Sequence, residues 1–491
     1  LHDICAIKSI FIVTIAVLRP IRAQARAASQ PAWPPPITTT SYLASFIGMS
    51  LLAQLSYRCI VAVGDKPLKV LVLGGGGREH AIAWRLRQSP SVHEVIVAPG
   101  NPGCAKVAAC LRPPSSTPEG FLSIAEHVRP DLTVVGPEAP LVDGVAELFS
   151  AKNFTIFGPS RAAAQLEGSK IFAKRFMQRA GIPTAHFIAT ESAEEARQAL
   201  GQFSYPVVLK ADGLAAGKGV VICEDRARAT DIVAGMFSGA LVGAAGRRLV
   251  IEEFLTGEEV SFIGLSDGDN VLPLEPSQDH KTIFDDDRGP NTGGMGAYSD
   301  SRILTAAERD FIMEHVMLRT IQHMKSEGTP FQGFLYAGLM MTAEGPRVLE
   351  FNVRLGDPET QALLHRMDCD FGALLFEAAR GRVDSSLLRF KREPSVCVVL
   401  AAHGYPGAVR MGDPISGIER AESTGATVFH AGTKVGPQGL ETAAGRVVGV
   451  THSGPTLREA IANTYRACEE VYFNGMQIRR DIGRKGLKRW E

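Results

Sequence analysis

From residue 68 onward the chain alternates short apolar runs with longer mixed stretches. Leu68–Leu73, Val92–Val97, Leu132–Val135 and Phe154–Phe157 read as buried strands, and Arg78–Gln88, Phe121–Val128 and Leu141–Ser150 read as helices between them. Strand and helix in turn predict an α/β fold with a parallel sheet wrapped by helices. Ligands of such sheets bind beyond the carboxyl ends of the strands. Three strand-following loops, Gly74–Gly77, Pro99–Gly103 and Gly136–Glu138, should therefore crowd one edge. The glycine run is not a dinucleotide fingerprint. G-x-G-x-x-G from Gly74 needs glycine where Glu79 stands, and from Gly75 where His80 stands. The loop can still offer backbone N–H groups to a phosphate at a helix N-terminus, or serve only as a tight turn.

A second pattern starts near Ile182–Pro183. Tyr205–Lys210 is a strand that ends in the glycine-rich stretch Asp212–Gly219, and Val220–Cys223 returns from it. Strand geometry puts Val208 and Lys210 on one face, Val207 and Leu209 on the other. The turn is flexible enough to fold over phosphates. It is not a P-loop, because Gly213 and Gly217 are one residue too close and Gly219 follows Lys218. Leu249–Leu255 reads as a buried strand and short hinge, followed by the acids Glu258 and Glu259. Such a hinge offers backbone groups to a flat base and an acid to a ribose; the same residues also fit a solvated hairpin.

Arg347–Arg354 is the most informative run. Alternation predicts Glu350, Asn352 and, beyond them, Arg354 on one face, with Leu349, Phe351 and Val353 in a core. A carboxylate beside an amide oxygen is a pair of hard ligands suited to Mg²⁺, which keeps water and substrate phosphates in its other positions. The alternative is a charged edge strand. Two irregular polar loops precede this run, Gln278–Lys281 and Gly289–Gly296. The first packs an acid, an imidazole and a cation into three residues, as an anionic, hydroxyl-rich ligand requires. A histidine such as His280 is by itself more often structural.

Composition narrows the class. The 491 residues carry 52 basic and 52 acidic side chains, which argues against a nucleic-acid protein working through bulk positive charge. The length predicts about three domains. The cysteines stand singly, without a C-x-x-C pair, so free thiols in a reducing compartment are expected rather than a zinc or redox site. Residues 1 to about 65 differ from the rest: their only acids are Asp3 and Asp65, against Lys8, Arg19, Arg22, Arg26 and Arg58, amid much Ser, Thr, Ala and Pro. That is the composition of an organellar transit peptide. The apolar run Ile10–Leu18 is too short to span a bilayer. A plastid (chloroplast) is the expected destination, with the mitochondrion as a second.

The order and spacing of the motifs join these readings. GGGGREHAIAW (Gly74–Trp84), APGNPG (Ala98–Gly103), VGPEAPLVDG (Val135–Gly144), FGPS (Phe157–Ser160) and QLEGSK (Gln165–Lys170) come first. KADGLAAGKGV (Lys210–Val220), EEFLTGEE (Glu252–Glu259), SQDHK (Ser277–Lys281), GPNTGGMGAYS (Gly289–Ser299), GFLYAGLM (Gly333–Met340) and EFNVRLGDPE (Glu350–Glu359) follow. FHAGT (Phe429–Thr433) and GRVVGV (Gly445–Val450) close the series. In this order they closely resemble the glycinamide ribonucleotide synthetase family of the ATP-grasp superfamily, from about Lys69 to Ile482. The resemblance implies an N-terminal parallel-sheet domain (67–172), an ATP-grasp domain (173–390, flap at about 185–260) and a small α+β C-terminal domain (391–491). With nothing after Glu491, the monofunctional form is expected.

The activity it implies is ATP-dependent joining of glycine to 5-phosphoribosylamine through glycyl phosphate, with Mg²⁺ or Mn²⁺, in purine synthesis. Lys170 and Lys210 resemble the family's phosphate lysines, and Asp212, Gly213, Gly217, Lys218 and Gly219 its flap. Glu252, Glu253, Phe254 and Leu255 are expected at adenine, Glu259 at the ribose, and Glu350 and Asn352 on the metal. Arg354 is expected to steady the acyl phosphate, acting with Lys210 in catalysis, and Asp357 and Glu359 to meet glycine's ammonium. Gly76, Gly77, Arg78, Glu79, Asn101, Pro137, Glu138, Asp279, His280, Lys281, Asn291, Thr292, Gly293 and Gly294 are expected around phosphoribosylamine. The partners are small molecules, not nucleic acid or membrane, and a monomer or weak dimer is expected. Thr282 departs from the family, which often has a basic residue there. Another ATP-grasp ligase and a non-catalytic nucleotide-binding module are the rival readings.

Overall fold

The computed structural model describes residues 66–213, 219–241 and 247–491. The leader and the flap positions Gly217 and Lys218 lie outside the described residues. The N-terminal sheet holds β1 (Leu68–Gly74), β2 (Val92–Pro99), β3 (Ala109–Cys110), β4 (Leu132–Val135) and β5 (Ile156–Phe157). All pairs are parallel, in the order β3-β2-β1-β4-β5. Strand order reverses at β1, so the loops after β1, β2 and β4 meet at the switch point where such sheets bind ligands. Helix α1 (Gly77–Arg87) is buried along nearly its whole length, with His80 against Phe429 of the C-terminal segment. Helix α2 (Pro118–Val128) is capped by Thr117, whose hydroxyl accepts from the Gly120 N–H.

Two expectations change here. Phe154–Phe157 pairs only at Ile156 and Phe157. The single helix expected over Leu141–Ser150 is two, Glu138–Val142 and Val145–Ala151. They break at Gly144, whose φ of +89° is left-handed backbone that glycine adopts readily. The Arg161 guanidinium lies where a Cβ would project, 2.7 Å away.

Helix α3 (Lys170–Ala180) leads to a four-stranded antiparallel sheet of β6 (Phe187–Thr190), β7 (Val207–Ala211), β8 (Val220–Cys223) and β9 (Leu249–Glu253), in the order β6-β9-β7-β8. Val207 and Leu209 join Ile251, Val233 and Met236 in a small core against helix α4 (Arg226–Phe237), leaving Lys210 on the opposite face.

The third sheet is antiparallel. It contains β10 (Glu258–Asp267), β11 (Val271–Pro273), β12 (Ser277–Asp279), β15 (Gly296–Ser299), β16 (Gln332–Thr342) and β17 (Gly345–Asn352). β18 (Ser395–Ala401), β19 (Thr427–His430) and β22 (Arg446–Ser453) continue it without a break into the C-terminal segment. Parts of the two stretches expected to be irregular loops are strand: Gln278 and Asp279 lie in β12, and Gly289–Asn291 lie in β14 (Arg288–Asn291), which forms a hairpin with β13 (Thr282–Phe284). β20 (Thr433–Gly436) and β21 (Gly439–Thr442) form another. Helices α5 (Glu359–Arg366), α6 (Phe371–Ala379) and α7 (Leu457–Cys468) pack against this sheet.

β17 departs from simple alternation. Gly338 pairs with Glu350 and Leu339 with Val348, which leaves Leu349 as the extra residue of a bulge. Val348 therefore takes the core position expected of Leu349, while Phe351 and Val353 are buried as expected. Among the described residues no helix is long and apolar enough to cross a membrane.

Candidate functional site

The cleft lies between the four-stranded sheet and β16–β17. Lys210, at the cleft end of β7, donates to the Leu349 carbonyl at 3.0 Å and pairs with the Glu252 carboxylate at 3.0 Å. The bulge thus supplies a carbonyl that a regular strand would keep in its ladder. Glu252 also binds Lys174 of α3 at 2.9 Å, and its Oε1 has no hydrogen-bond partner among the described residues. Burial lowers the Lys174 pKa to about 8; Glu252 opposes that shift and Lys210 adds to it.

Glu252 was expected in an adenine hinge. It sits in mid-ladder instead, opposite Phe187 and Val208. Its backbone belongs to the sheet and its carboxylate orders two lysines. The hinge starts later. Glu253 still pairs with Val207 and its N–H binds the His186 carbonyl, whereas Phe254, Leu255 and Thr256 leave the strand and Phe254 is exposed.

Lys170 reaches the Gly213 carbonyl at 3.4 Å. Asp212 is an organiser: it accepts from Ser169 Oγ at 2.9 Å and the Ile171 N–H at 3.1 Å, and pairs with Arg248 at 2.6 Å. It therefore fixes the start of α3, and with it Lys170.

Glu350 and Asn352 share one face of β17 as expected, and their side chains have no hydrogen-bond partner among the described residues. Burial works against the Glu350 carboxylate, but Lys281, Lys210, Lys170 and Arg354 outweigh it and hold the pKa below the usual range. Among the described residues no group of three or more His, Cys, Asp or Glu is arranged for a metal. Two hard oxygen donors near Lys210 and Lys170 nevertheless fit Mg²⁺, which is commonly held by one or two side chains plus phosphate oxygens.

Arg354 lies just beyond the end of β17. Its Nη2 binds Glu167 at 2.8 Å, Nε reaches Glu138 at 3.3 Å and Nη1 the Leu355 carbonyl at 3.3 Å. Burial opposes its charge, yet Glu167 and Glu138 raise its pKa. Glu167, which also accepts the Val353 N–H at 2.7 Å, had no expected role although it lies inside Gln165–Lys170.

Asp279 and Lys281 face this cleft. Lys281 binds Glu259 at 2.7 Å, so the acid expected at a ribose is already paired with a cation. Asp279 has its pKa raised by burial, opposed by Lys281 and reinforced by Glu359, Glu259 and Glu350. Its neighbour His280 does not join them. Period-2 geometry turns it to the far side, where it is buried against Tyr298 with Nδ1 3.3 Å from the Gly296 carbonyl. Burial, with Arg479 nearby, lowers its pKa to about 4. Thr282 faces the same way, and its hydroxyl accepts from buried Arg479 at 2.8 Å. A basic side chain at this position would meet that arginine.

The remaining expected substrate residues converge at the switch point, mostly with their polar groups engaged. Asn101 Nδ2 donates to the carbonyls of Gly75, Gly76 and His430, at 3.0, 3.3 and 2.8 Å. Its Oδ1 accepts the N–H groups of Gly103 and Cys104. Glu79 accepts the Gly76 N–H at 2.5 Å and pairs with Arg78 at 2.7 Å. Pro137 precedes Glu138 as the cap of its short helix. Asp357 binds Gln361 at 2.8 Å and Arg446 at 3.3 Å. A Cβ added at Gly76 or Gly77 would lie 3.7 Å from the Asp357 carboxylate. Glu359 is buried and accepts from Tyr336 at 2.9 Å. Asn291 ends β14, exposed; Thr292 Oγ1 accepts from the Gly294 N–H at 2.9 Å. Tyr336 and Arg446 stood in motifs read from sequence but had no role assigned to them.

Comparison with known proteins bears on this arrangement. Three family models match in sequence order: "Phosphoribosylglycinamide synthetase, N domain" over 68–167, "ATP-grasp (A) domain" over 168–360 and "C domain" over 395–485. A phosphoribosylamine–glycine ligase of Ralstonia nicotianae is 47% identical over 423 residues, 86% of this chain and all of that protein. One from Escherichia coli K12 is 46% identical over 426 residues, 86% of this chain and 99% of that protein. The crystal structure of a phosphoribosylamine–glycine ligase from Thermotoga maritima superposes with a TM-score of 0.74 at 35% identity, covering 84% of this chain and all of that one. A biotin carboxylase domain from Hydrogenobacter thermophilus, crystallised with MgADP and bicarbonate, shares the fold at 19% identity and a TM-score of 0.65, covering 84% of this chain and 92% of that one.

Proposed function

The chain belongs to the phosphoribosylglycinamide synthetase family, and on that premise we propose that it joins glycine to 5-phosphoribosylamine while ATP becomes ADP and phosphate. A glycine carboxylate oxygen attacks the γ-phosphorus, the bond to ADP breaks, and glycyl phosphate forms. The amine of phosphoribosylamine then attacks the acyl carbon, loses a proton and expels phosphate, leaving an amide. The first step supplies the leaving group that a bare carboxylate lacks.

Lys170 and Lys210 hold the phosphates, with Lys210 kept in place by Glu252 and the Leu349 carbonyl. Phe254 and Leu255 offer backbone groups to adenine, and Glu259 exchanges Lys281 for the ribose. Glu350 and Asn352 would hold Mg²⁺, or Mn²⁺ in its stead, and the bound ion would offset charge as the phosphoryl group moves. Arg354, oriented by Glu138 and Glu167, presents its remaining N–H groups to the acyl phosphate. Glu138, bound by Arg354 at 3.3 Å, is freer than Asp357 or Glu359 to meet an incoming amine. The loops bearing Asn101 and Asn291–Gly294 shape the phosphoribosylamine side.

The observation that carries this reading is the uncommitted Glu350–Asn352 pair among Lys170, Lys210 and Lys281. ADP release with glycine and phosphoribosylamine added singly and together tests it. Turnover should need both; equal turnover with either one omitted would favour another ATP-grasp reaction. We also propose that residues 1–66 direct the chain to a plastid, a reading that rests on their acid-poor, Arg- and Ser-bearing composition. A fluorescent protein fused to them should enter the organelle, and retention in the cytosol would refute it.

A further inference from the structure

The loop Asn291–Gly294 is held from outside the ATP-grasp region. Both polar backbone groups of Gly293 are taken by side chains of the C-terminal segment. Its N–H donates to the Tyr405 hydroxyl at 2.9 Å, and its carbonyl accepts from Arg446 Nη1 at 2.6 Å. The same Nη1 donates to the Asp357 carbonyl at 2.5 Å, while Nη2 pairs with the Asp357 carboxylate at 3.3 Å. One guanidinium therefore bridges two cleft-facing segments that are distant in sequence. A lysine, with a single nitrogen, cannot reproduce that fork.

The glycines fit this support closely. A Cβ at Gly293 would lie 3.1 Å from the Arg446 guanidinium carbon, and one at Gly294 would lie 2.5 Å from Pro358 Cδ. Thr292 ties the loop to the segment after β12 by donating its hydroxyl to the Lys281 carbonyl at 2.8 Å. That tie leaves the position of the loop relative to Asp357 to Arg446 and Tyr405.

We infer that Arg446 and Tyr405 are positioning residues through which the C-terminal domain sets the phosphoribosylamine side of the cleft. The inference rests on the proposed role of the Asn291–Gly294 loop. Neither residue touches the reacting atoms; each acts through Gly293, and Arg446 also through Asp357.

Steady-state kinetics of the full chain, with each substrate varied in turn, test this. Tyr405→Phe deletes one hydroxyl and should raise KM for phosphoribosylamine about 3- to 10-fold, the size of one lost hydrogen bond. KM for ATP and the melting temperature should stay unchanged. Arg446→Lys should raise the same KM by about tenfold or more. If Arg446→Lys does not fold, Tyr405→Phe carries the test alone. A shift of all KM values together with a lower melting temperature would mark a purely structural role and overturn the inference. Asn291→Ala separates the inference from the reading beneath it. If Asn291→Ala raises KM for phosphoribosylamine and Tyr405→Phe does not, the positioning role fails and the loop's role stands. If neither variant raises it, both fail.

Discussion

The two ends of the cleft are built differently. At the Lys210 end the two cations share one acid: Glu252 serves both Lys174 and Lys210, and among the described residues Glu350 and Asn352 have no side-chain hydrogen-bond partner. At the Asn101 end most polar side chains are already engaged, with Asn101 meeting five backbone groups and Asp357 bound by Gln361 and Arg446. A motif residue can therefore belong to a site by touching ligand or by shaping the loops that do. Its count of internal partners separates the two roles better than its place in a motif.

The contrast predicts graded effects. Glu252→Ala leaves two buried ammonium groups without their acid, and should cost about 3–5 kcal/mol in denaturant unfolding. Full stability with lost activity would instead make Glu252 a ligand contact. Asn101→Ala strips its loop of the side-chain bonds and should destabilise the protein by about 1–3 kcal/mol. A raised KM for phosphoribosylamine with stability intact would move Asn101 from organiser to ligand.

A separate effect is expected with pH. His80 is neutral in the fold, its pKa lowered to about 3 by burial with help from His430 and Lys106. His430, lowered to about 4 by burial and Lys106, donates its backbone N–H to His80 Nδ1 at 2.8 Å, a bond that protonation would break. His280 and His365 are likewise lowered to about 4, chiefly by burial. The unfolded chain takes up these protons near its ordinary value of about 6.5, so it binds more of them than the fold does below that pH. Stability should be level above pH 6.5 as far as these groups decide it, and decline as pH falls from 6.5 toward 4. Thermal melts across that range check the sign; a rising melting temperature on acidification would contradict it.

Much of this was legible in the chain. The strand-and-loop pattern of residues 68–138 located the switch point, because fully buried parallel strands leave unbroken apolar runs. Period-2 reading of Arg347–Arg354 placed Glu350 and Asn352 together. It failed at Leu349, since a bulge adds a residue without changing composition. At His280 the three adjacent polar residues looked like one cluster, and strand geometry sends the middle one away. Glu252 was expected at adenine by resemblance alone; its two lysines, one on a separate helix, come together only in the fold. Arg446 had only its place in Gly445–Val450 and Tyr405 no signal at all, because their partner Gly293 is more than a hundred residues away.

The central claim is that Glu350 and Asn352 serve the phosphate chemistry rather than the fold. ADP release by Glu350→Ala at saturating ATP, glycine and phosphoribosylamine, measured across a range of Mg²⁺, tests it most directly. The account predicts kcat lower by on the order of 10²–10³, the usual cost of removing one stabiliser of transition-state charge, with the melting temperature kept. An undiminished rate with unchanged Mg²⁺ dependence would contradict it.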